Sequence, residues 1–168
     1  LRALQKLHNY KASREVYNSI IYAFAMKKDV KAAYEFLEEM ERNRLTSGVD
    51  TYLALLVVYQ NSSTRTGNAW AKAVDLLETM QKHKLTPNNI TYMRVMIACA
   101  RACKWELTLM LFSDMRQAGL KPNAAIYTAM ITACKNGLQW QKALDLLDEM
   151  KRERIQPTQE CFGAALMA

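Results

Sequence analysis

Residues 124–158 read AAIYTAMITACKNGLQWQKALDLLDEMKRERIQPT, and the pattern in this stretch decides the fold. A 35-residue interval separates the members of two unrelated sets, the tryptophans Trp70, Trp105 and Trp140 and the methionines Met80, Met115 and Met150. Two residue types that share one period indicate an internal repeat. The chain is therefore predicted to be an array of stacked units rather than one closed core.

The period defines the boundaries of the units. The complete repeats are 14–48, 49–88, 89–123 and 124–158, and partial units occupy 1–13 and 159–168. Tyr52 and Tyr92 occupy equivalent positions but lie 40 residues apart, which predicts one insertion of five residues. The Ser-, Thr- and Gly-rich segment 61–67 is the predicted place of this insertion.

Each unit contains two apolar stripes with helical spacing. The first stripe of the last complete repeat consists of Tyr127, Met130, Ile131 and Cys134, and the second consists of Trp140, Ala143, Leu144, Leu147 and Met150. Spacings of three and four residues place each stripe on one face of a helix. Each unit is thus predicted to be a helical hairpin with both stripes in the core, which it can bury only by stacking on its neighbours.

The segments between units carry helix stop and start signals. Pro87-Asn88, Pro122-Asn123 and Pro157-Thr158 each place a proline, which ends a helix, before a small polar residue that can cap the next one. The chain has five glycines and three prolines and no sustained strand alternation. The predicted fold class is an all-α solenoid of helix-turn-helix repeats of about 35 residues.

Composition limits the classes of function. The net charge of +7 suits an anionic partner, although lysines and arginines also keep a solenoid soluble. The longest apolar run, residues 53–59, is too short to cross a bilayer, so no membrane span is expected. The chain opens at Leu1 rather than at methionine, which predicts that it is a piece of a longer protein.

Neither catalysis nor a cofactor is expected. The chain has no glycine-rich phosphate loop, no His-Glu-x-x-His and no nucleophile elbow. The acidic pairs Glu38-Glu39 and Asp148-Glu149 recur at equivalent positions, which indicates a solvated helix face. The cysteines are predicted to fill the core of a protein from a reducing compartment, without a metal, because only two histidines accompany Cys99, Cys103, Cys134 and Cys161.

The motifs resemble those of the pentatricopeptide repeat family. The resemblance rests on the 35-residue period, on Tyr-Asn-Ser-Ile-Ile at 17–21 and Tyr-Thr-Ala-Met-Ile at 127–131, on Ala-Leu-Asp-Leu-Leu-Asp-Glu-Met at 143–150, and on the Pro-Asn endings. It implies a right-handed superhelix whose first helices line a concave groove for single-stranded RNA, usually in a mitochondrion or chloroplast. Two or three side chains of each repeat would read one base.

The resemblance also implies which residues contact RNA. Base edges are read by the residue after the repeat's tyrosine together with the last residue of the repeat, here called the reader residues: Asn18 with Gly48, Leu53 with Asn88, Met93 with Asn123, and Thr128 with Thr158. None of these pairs is complete. Apolar residues two positions before the tyrosine wedge the bases, and these wedge slots hold Glu15, Asp50, Ile90 and Ala125. Carboxylates in two of the slots repel phosphate and argue against reading by the first two repeats.

Basic residues on the later first helices predict contacts to the RNA backbone. The candidates are Arg94, Arg101, Lys104 and Lys135, although Arg101 and Lys135 also suit ordinary solvated helix ends. The expected activity is loose or shape-based binding of single-stranded or structured RNA in organellar RNA processing, stability or translation. The alternative is a scaffold that holds protein partners in an organellar ribonucleoprotein such as a ribosome. An RNA-processing enzyme would need a catalytic domain outside this chain.

Overall fold

The computed structural model of the protein describes residues 13–62 and 67–167. All regular structure in these ranges is α-helical. The helices are α1 (Arg14–Met26), α2 (Val30–Arg42), α3 (Val49–Ser62), α4 (Ala69–Lys82), α5 (Asn89–Arg101), α6 (Trp105–Gln117), α7 (Ala124–Asn136), α8 (Trp140–Arg152) and α9 (Gln159–Leu166). The partial unit 1–13, apart from Ser13, and the insertion residues 63–66 lie outside the described ranges.

The helices form two layers with different neighbours. The first helices of the hairpins (α1, α3, α5, α7 and α9) pack on one another in chain order. Each second helix (α2, α4, α6 and α8) packs on its own first helix and on the first helix of the next hairpin. Within the described ranges, second helices meet one another through long side chains, as where Arg116 of α6 pairs with Glu149 of α8 at 2.6 Å, and not through close backbone packing. Because elements on the inner side of a curved array lie closest together, the first helices form the inner layer. The predicted all-α helical repeat solenoid is confirmed.

Burial of the first helices follows from this layering. An inner first helix such as α7 touches two first helices and two second helices, so most of its surface is covered. The predicted first stripe is confirmed, since Tyr127, Met130, Ile131 and Cys134 are all buried, and the equivalent residues of α5 are buried as well. Ile126 and Ala133 on other faces of α7 are also buried.

Only part of the second stripe is buried as predicted. Ala143, Leu147 and Met150 of α8 are buried, but Trp140 is 55% exposed and Leu144 is 46% exposed. Leu146 is buried instead. A second helix packs closely on only two other helices, so its buried face is narrow and an apolar residue at the border of the stripe stays in solvent.

Two other core predictions need correction. Trp70 and Trp105 are half-buried rather than enclosed. A lysine Nζ lies above each ring, Lys104 at 5.1 Å from the centroid of Trp70 and Lys142 at 3.9 Å from that of Trp105.

The acidic helix face, which was predicted to be solvated, is also partly engaged within the protein. Glu39 accepts a hydrogen bond from the hydroxyl of buried Tyr17 at 3.3 Å, and Glu149 accepts one from Tyr127 at 3.1 Å. Burial and the neighbouring carboxylates raise the pKa of both tyrosines.

The predicted helix caps are present. Asn88 Oδ1 accepts the backbone N–H of Thr91 at 3.0 Å, Asn123 Oδ1 accepts that of Ile126 at 3.1 Å, and Thr158 Oγ1 accepts that of Cys161 at 3.3 Å. Each bond satisfies one N–H that the first turn of a helix leaves unpaired. The proline-polar pairs therefore start the first helices α5, α7 and α9.

The helices end in left-handed turns that are built largely without glycine. Gly119 has a φ of 77°, and the other residues with positive φ are Lys28, Arg44, Lys84, Cys103, Leu138 and Arg154. After each of them the next N–H bonds a carbonyl five residues back, as Ile155 does to Met150 at 2.8 Å. A residue with a Cβ is strained in this conformation, so each turn costs about 1–2 kcal/mol relative to glycine.

Arg154→Gly is expected to leave the protein about 1 kcal/mol more stable than Arg154→Ala. Both changes remove the same exposed side chain, but only glycine relieves the left-handed strain at a φ of 57°. Thermal unfolding followed by circular dichroism measures the difference. Gly119→Ala, in the equivalent turn of the previous repeat, should lower the melting temperature relative to the unchanged protein. Equal melting temperatures for the two Arg154 variants would contradict the strain.

Candidate functional site

The uncovered side of the first helices forms a continuous surface, here called the groove. The wedge slots mark its course, because they are the second residues of α1, α3, α5 and α7, and all four are exposed. Ile90 keeps 47% of its surface exposed. One row of first turns therefore presents, in order, two carboxylates, an isoleucine and an alanine: Glu15, Asp50, Ile90 and Ala125.

The first reader residues lie beside this row and are half-buried: Asn18, Leu53, Met93 and Thr128. The Thr51 hydroxyl accepts the N–H of Gly48 at 3.3 Å and donates its proton to Asn18 Oδ1 at 2.7 Å. This assignment leaves the Asn18 amide nitrogen as the group that can meet a ligand. Thr128 donates to the carbonyl of Ala124 at 2.8 Å. Leu53 and Met93 offer only apolar contact.

The last reader residues serve as helix caps. The Oδ1 atoms of Asn88 and Asn123 are used by the caps of α5 and α7, and the Thr158 hydroxyl is used by the cap of α9. Among the described residues, neither asparagine Nδ2 has a hydrogen-bond partner. Gly48 supplies no side chain. The Nδ2 atoms of Asn88 and Asn123 can therefore donate hydrogen bonds to a ligand in the groove. Their Oδ1 atoms are used by the caps and are less available as acceptors.

Arg94 occupies a cleft that spans α1, α3 and α5. The cleft measures about 330 Å³ and is lined by Asn18, Ser19, Tyr22, Asp50, Leu53, Ala54 and Arg94. Arg94 Nη1 donates to Gln60 Oε1 at 3.1 Å, while its buried Nε has no partner within the described part of the chain. Burial lowers the pKa of this guanidinium. A half-buried cation without a carboxylate partner is an unusual feature and marks a functional candidate.

The other predicted basic residues lie at the carboxyl-terminal ends of the first helices or just after them. Arg101 is the last residue of α5, Lys104 is the N-cap of α6, and Lys135 is in the last turn of α7. Together they line the carboxyl-terminal edge of the inner layer. The structure thus divides the predicted basic group into this edge and the separate Arg94 cleft.

Arg101 has a structural contact that the sequence did not predict. Its Nη1 donates to the backbone carbonyl of Gln60 at 2.8 Å, and Asn136 Nδ2 donates to the carbonyl of Ala100 at 2.8 Å in the next repeat. Each side chain therefore caps the carboxyl end of the preceding first helix. Arg101 is exposed at the end of its helix, and the bond to Gln60 is an additional contact. The exposed guanidinium nevertheless keeps further donors for a ligand.

Sequence reasoning missed Tyr22 and Gln60 as groove residues. Tyr22 is 46% exposed and occupies the slot that holds Val57, Ile97 and Thr132 in the other repeats, so an aromatic among smaller side chains was the available signal. Gln60 gave no signal, because its role depends on contacts with α5. Both residues add recognition chemistry to the groove.

No other chemical centre stands out in the part of the chain that the structure describes. No group of three or more potential metal ligands comes together there. Burial raises the pKa of the Cys99 thiol to about 12, and Cys134 and Cys161 are buried as predicted for core residues. Cys103 is half-buried. None of the described helices combines the length and apolarity required to cross a membrane.

Similar structures have the same fold. The chain matches the structure of the pentatricopeptide repeat protein PPR10 in complex with an 18-nt psaJ RNA element, with 24% identity and a TM-score of 0.80. The match covers 99% of this chain and 25% of PPR10. It also matches the PPR domain of Arabidopsis thaliana protein-only RNase P 1 in complex with tRNA, with 19% identity, a TM-score of 0.76, and coverage of 92% of this chain and 79% of that domain. The chain thus spans about a quarter of the length of PPR10.

Sequence comparison identifies the repeats directly. A family profile described as pentatricopeptide repeat domain matches residues 7–62 and 110–168, and a PPR repeat profile matches residues 90–120. No curated protein matches the chain in sequence. The profile matches cover more than half of the chain and agree with the stacked hairpins of the structure. The chain belongs to the pentatricopeptide repeat family.

Proposed function

We propose that this chain binds RNA along the groove and acts in organellar gene expression, without chemistry of its own. The observation that carries the proposal is the row of exposed first turns, with the reader residues beside it, Arg94 in the cleft and basic residues along the carboxyl-terminal edge of the first helices. PPR10 and protein-only RNase P 1, whose structures include RNA, have the same fold. The organellar setting rests on the family resemblance.

The proposed mode of binding is weak and mostly shape-based. Asn18, Asn88 and Asn123 each present an amide donor, whereas their oxygens are used within the protein. Donors alone do not distinguish bases that carry acceptors in similar places. The edge residues Arg101, Lys104 and Lys135 supply charge for phosphates, and phosphate contacts give affinity without sequence information.

The chain is expected to bind fluorescein-labelled single-stranded RNA with an affinity that falls steeply with salt. If a few phosphates are contacted, log Kd should change by roughly 0.7 per contact for each tenfold increase in salt. Fluorescence anisotropy over a series of salt concentrations measures this slope. Tight binding with a flat salt dependence would contradict backbone-dominated recognition, and absence of binding at low salt would favour the scaffold alternative.

The alternative function is a protein scaffold within an organellar ribonucleoprotein. It is favoured by exposed apolar side chains at the start of the α8 hairpin arm, where Leu138 is 74% exposed and Trp140 is 55% exposed. Such a surface suits a protein partner. Crosslinking of the native complex distinguishes the two functions, because it identifies either nucleotides or peptides against the groove.

A further inference from the structure

Two opposite charges line the Arg94 cleft without touching. Asp50 and Arg94 both contribute to its wall, yet no ion pair joins them within 4.0 Å, and Asp50 has no ion pair with any described residue. Among the described residues, Gln60 is the hydrogen-bond partner of Arg94. The cleft therefore offers a carboxylate acceptor and a guanidinium donor that face a common space.

This pair of charges restricts the chemistry of the ligand. A phosphate would gain from Arg94 but would meet the Asp50 carboxylate, and an apolar group would leave both charges unsatisfied. A complementary ligand carries donors on one edge, acceptors on the adjacent edge, and a flat face for the exposed Tyr22 ring. The cleft, at about 330 Å³, is at the small end of ligand sites and suits one base.

Guanine fits these requirements better than the other bases. It presents paired donors at N1 and N2, which a carboxylate can accept together, and acceptors at O6 and N7, to which arginine donates. Adenine places its N1 lone pair where guanine has a donor. Uracil has one ring N–H between two carbonyl acceptors, and cytosine has a single amino donor beside acceptors. The paired donor edge thus separates guanine from all three.

We propose that the cleft binds one guanine base of RNA lying in the groove. Asp50 accepts from the N1–H and N2–H donors, Arg94 donates to O6 and N7, and the Tyr22 ring stacks on the base. Gln60 positions Arg94 through its hydrogen bond. This inference rests on the proposed RNA binding and adds one specific base contact to an otherwise unselective groove, at a wedge slot whose carboxylate disfavours phosphate.

The test compares short oligouridines that carry one central guanosine, inosine, adenosine or uridine, measured by fluorescence anisotropy. The guanosine oligonucleotide should bind about tenfold more tightly than the adenosine and uridine ones, because a bidentate pair gives discrimination of that order. Inosine, which lacks the N2 amino group, should fall between them. The wild-type protein alone thus tests the donor edge, independently of any effect of substitution on folding.

Asp50→Asn should remove the preference for guanosine, so that the guanosine and uridine oligonucleotides bind with equal affinity. The matched control is Asp145→Asn, which neutralises another exposed helical aspartate on α8, outside the groove, and should retain the preference. A preference that persists in Asp50→Asn would overturn the assignment of the carboxylate. Arg94→Lys, which keeps the charge but loses the bidentate donor geometry, should weaken guanosine binding in particular.

The outcomes separate this inference from the proposed function. Equal binding of all four oligonucleotides overturns the guanine site and leaves RNA binding intact, whereas no binding of any oligonucleotide overturns both. Guanosine monophosphate is measured as competitor to distinguish the source of the base. It should compete much less well than the guanosine oligonucleotide, and equal competition would overturn the assignment to RNA in favour of a free nucleotide.

Discussion

Replacing Arg101 and Lys135 together with glutamate is expected to weaken RNA binding by about tenfold or more at about 0.1 M salt, where the Debye length is about 10 Å. Both residues lie in the last turns of first helices, along the carboxyl-terminal edge of the groove. Their reversal removes two donors for phosphate and adds two repulsive charges. Fluorescence anisotropy with single-stranded RNA measures the loss, and the salt slope should decrease with it.

The control pair is Lys82→Glu with Lys151→Glu, which changes the net charge equally. Lys82 ends α4 and Lys151 lies near the end of α8, both exposed in the outer layer. These substitutions should have a much smaller effect on affinity. Equal losses from the two pairs would show a diffuse effect of net charge and would contradict a groove.

The contact of Arg101 with the carbonyl of Gln60 requires a second control. Its loss removes a helix cap, so part of any effect on binding could arise from a shifted α3 rather than from charge. Asn136→Ala removes the equivalent cap on Ala100 without changing the charge. If Asn136→Ala leaves the affinity unchanged while Arg101→Glu with Lys135→Glu lowers it, the effect belongs to the charges.

The repeat architecture was predictable because it depends on local signals. The 35-residue period places equivalent residues at equivalent positions, and the proline-polar pairs at Asn88 and Asn123 both predicted the helix starts that the structure contains. The buried first stripes were also predictable, since neighbouring helices cover most of each inner first helix. Burial in the second helices was less predictable. Periodicity gives the face of a helix, but the width of the buried face depends on how many helices touch it.

The site was predictable only where it depends on register. The wedge and reader residues follow from position within the repeat, and the four wedge slots are exposed in equivalent first turns. The Arg94 cleft was not predictable, because its walls come from three hairpins and depend on how α1, α3 and α5 pack in sequence. The packing of α3 on α5 places Gln60 against both Arg94 and Arg101.

Ile131→Ala is expected to lower the free energy of unfolding by about 2–5 kcal/mol, because it leaves a cavity in a tightly packed core. Ile131 has 0% exposure and lies on α7, which touches α5, α6, α8 and α9. Stability in a repeat array is a sum of local terms, so the loss should concentrate around this hairpin. Chemical denaturation measures the total, and native-state hydrogen exchange should show that the amides of α7 and α8 lose more protection than those of α1.

Leu144→Ala provides the matched comparison, since it also shortens an aliphatic side chain that the sequence pattern placed in the core. Leu144 is 46% exposed, so its truncation removes less apolar contact and leaves no closed cavity. We expect a loss of about 1 kcal/mol or less. A cost for Leu144→Ala as large as that for Ile131→Ala would mean that the second stripe is buried as periodicity alone predicts. It would contradict the packing in which the outer helices pack closely only on the inner layer and leave one border of each apolar stripe in solvent.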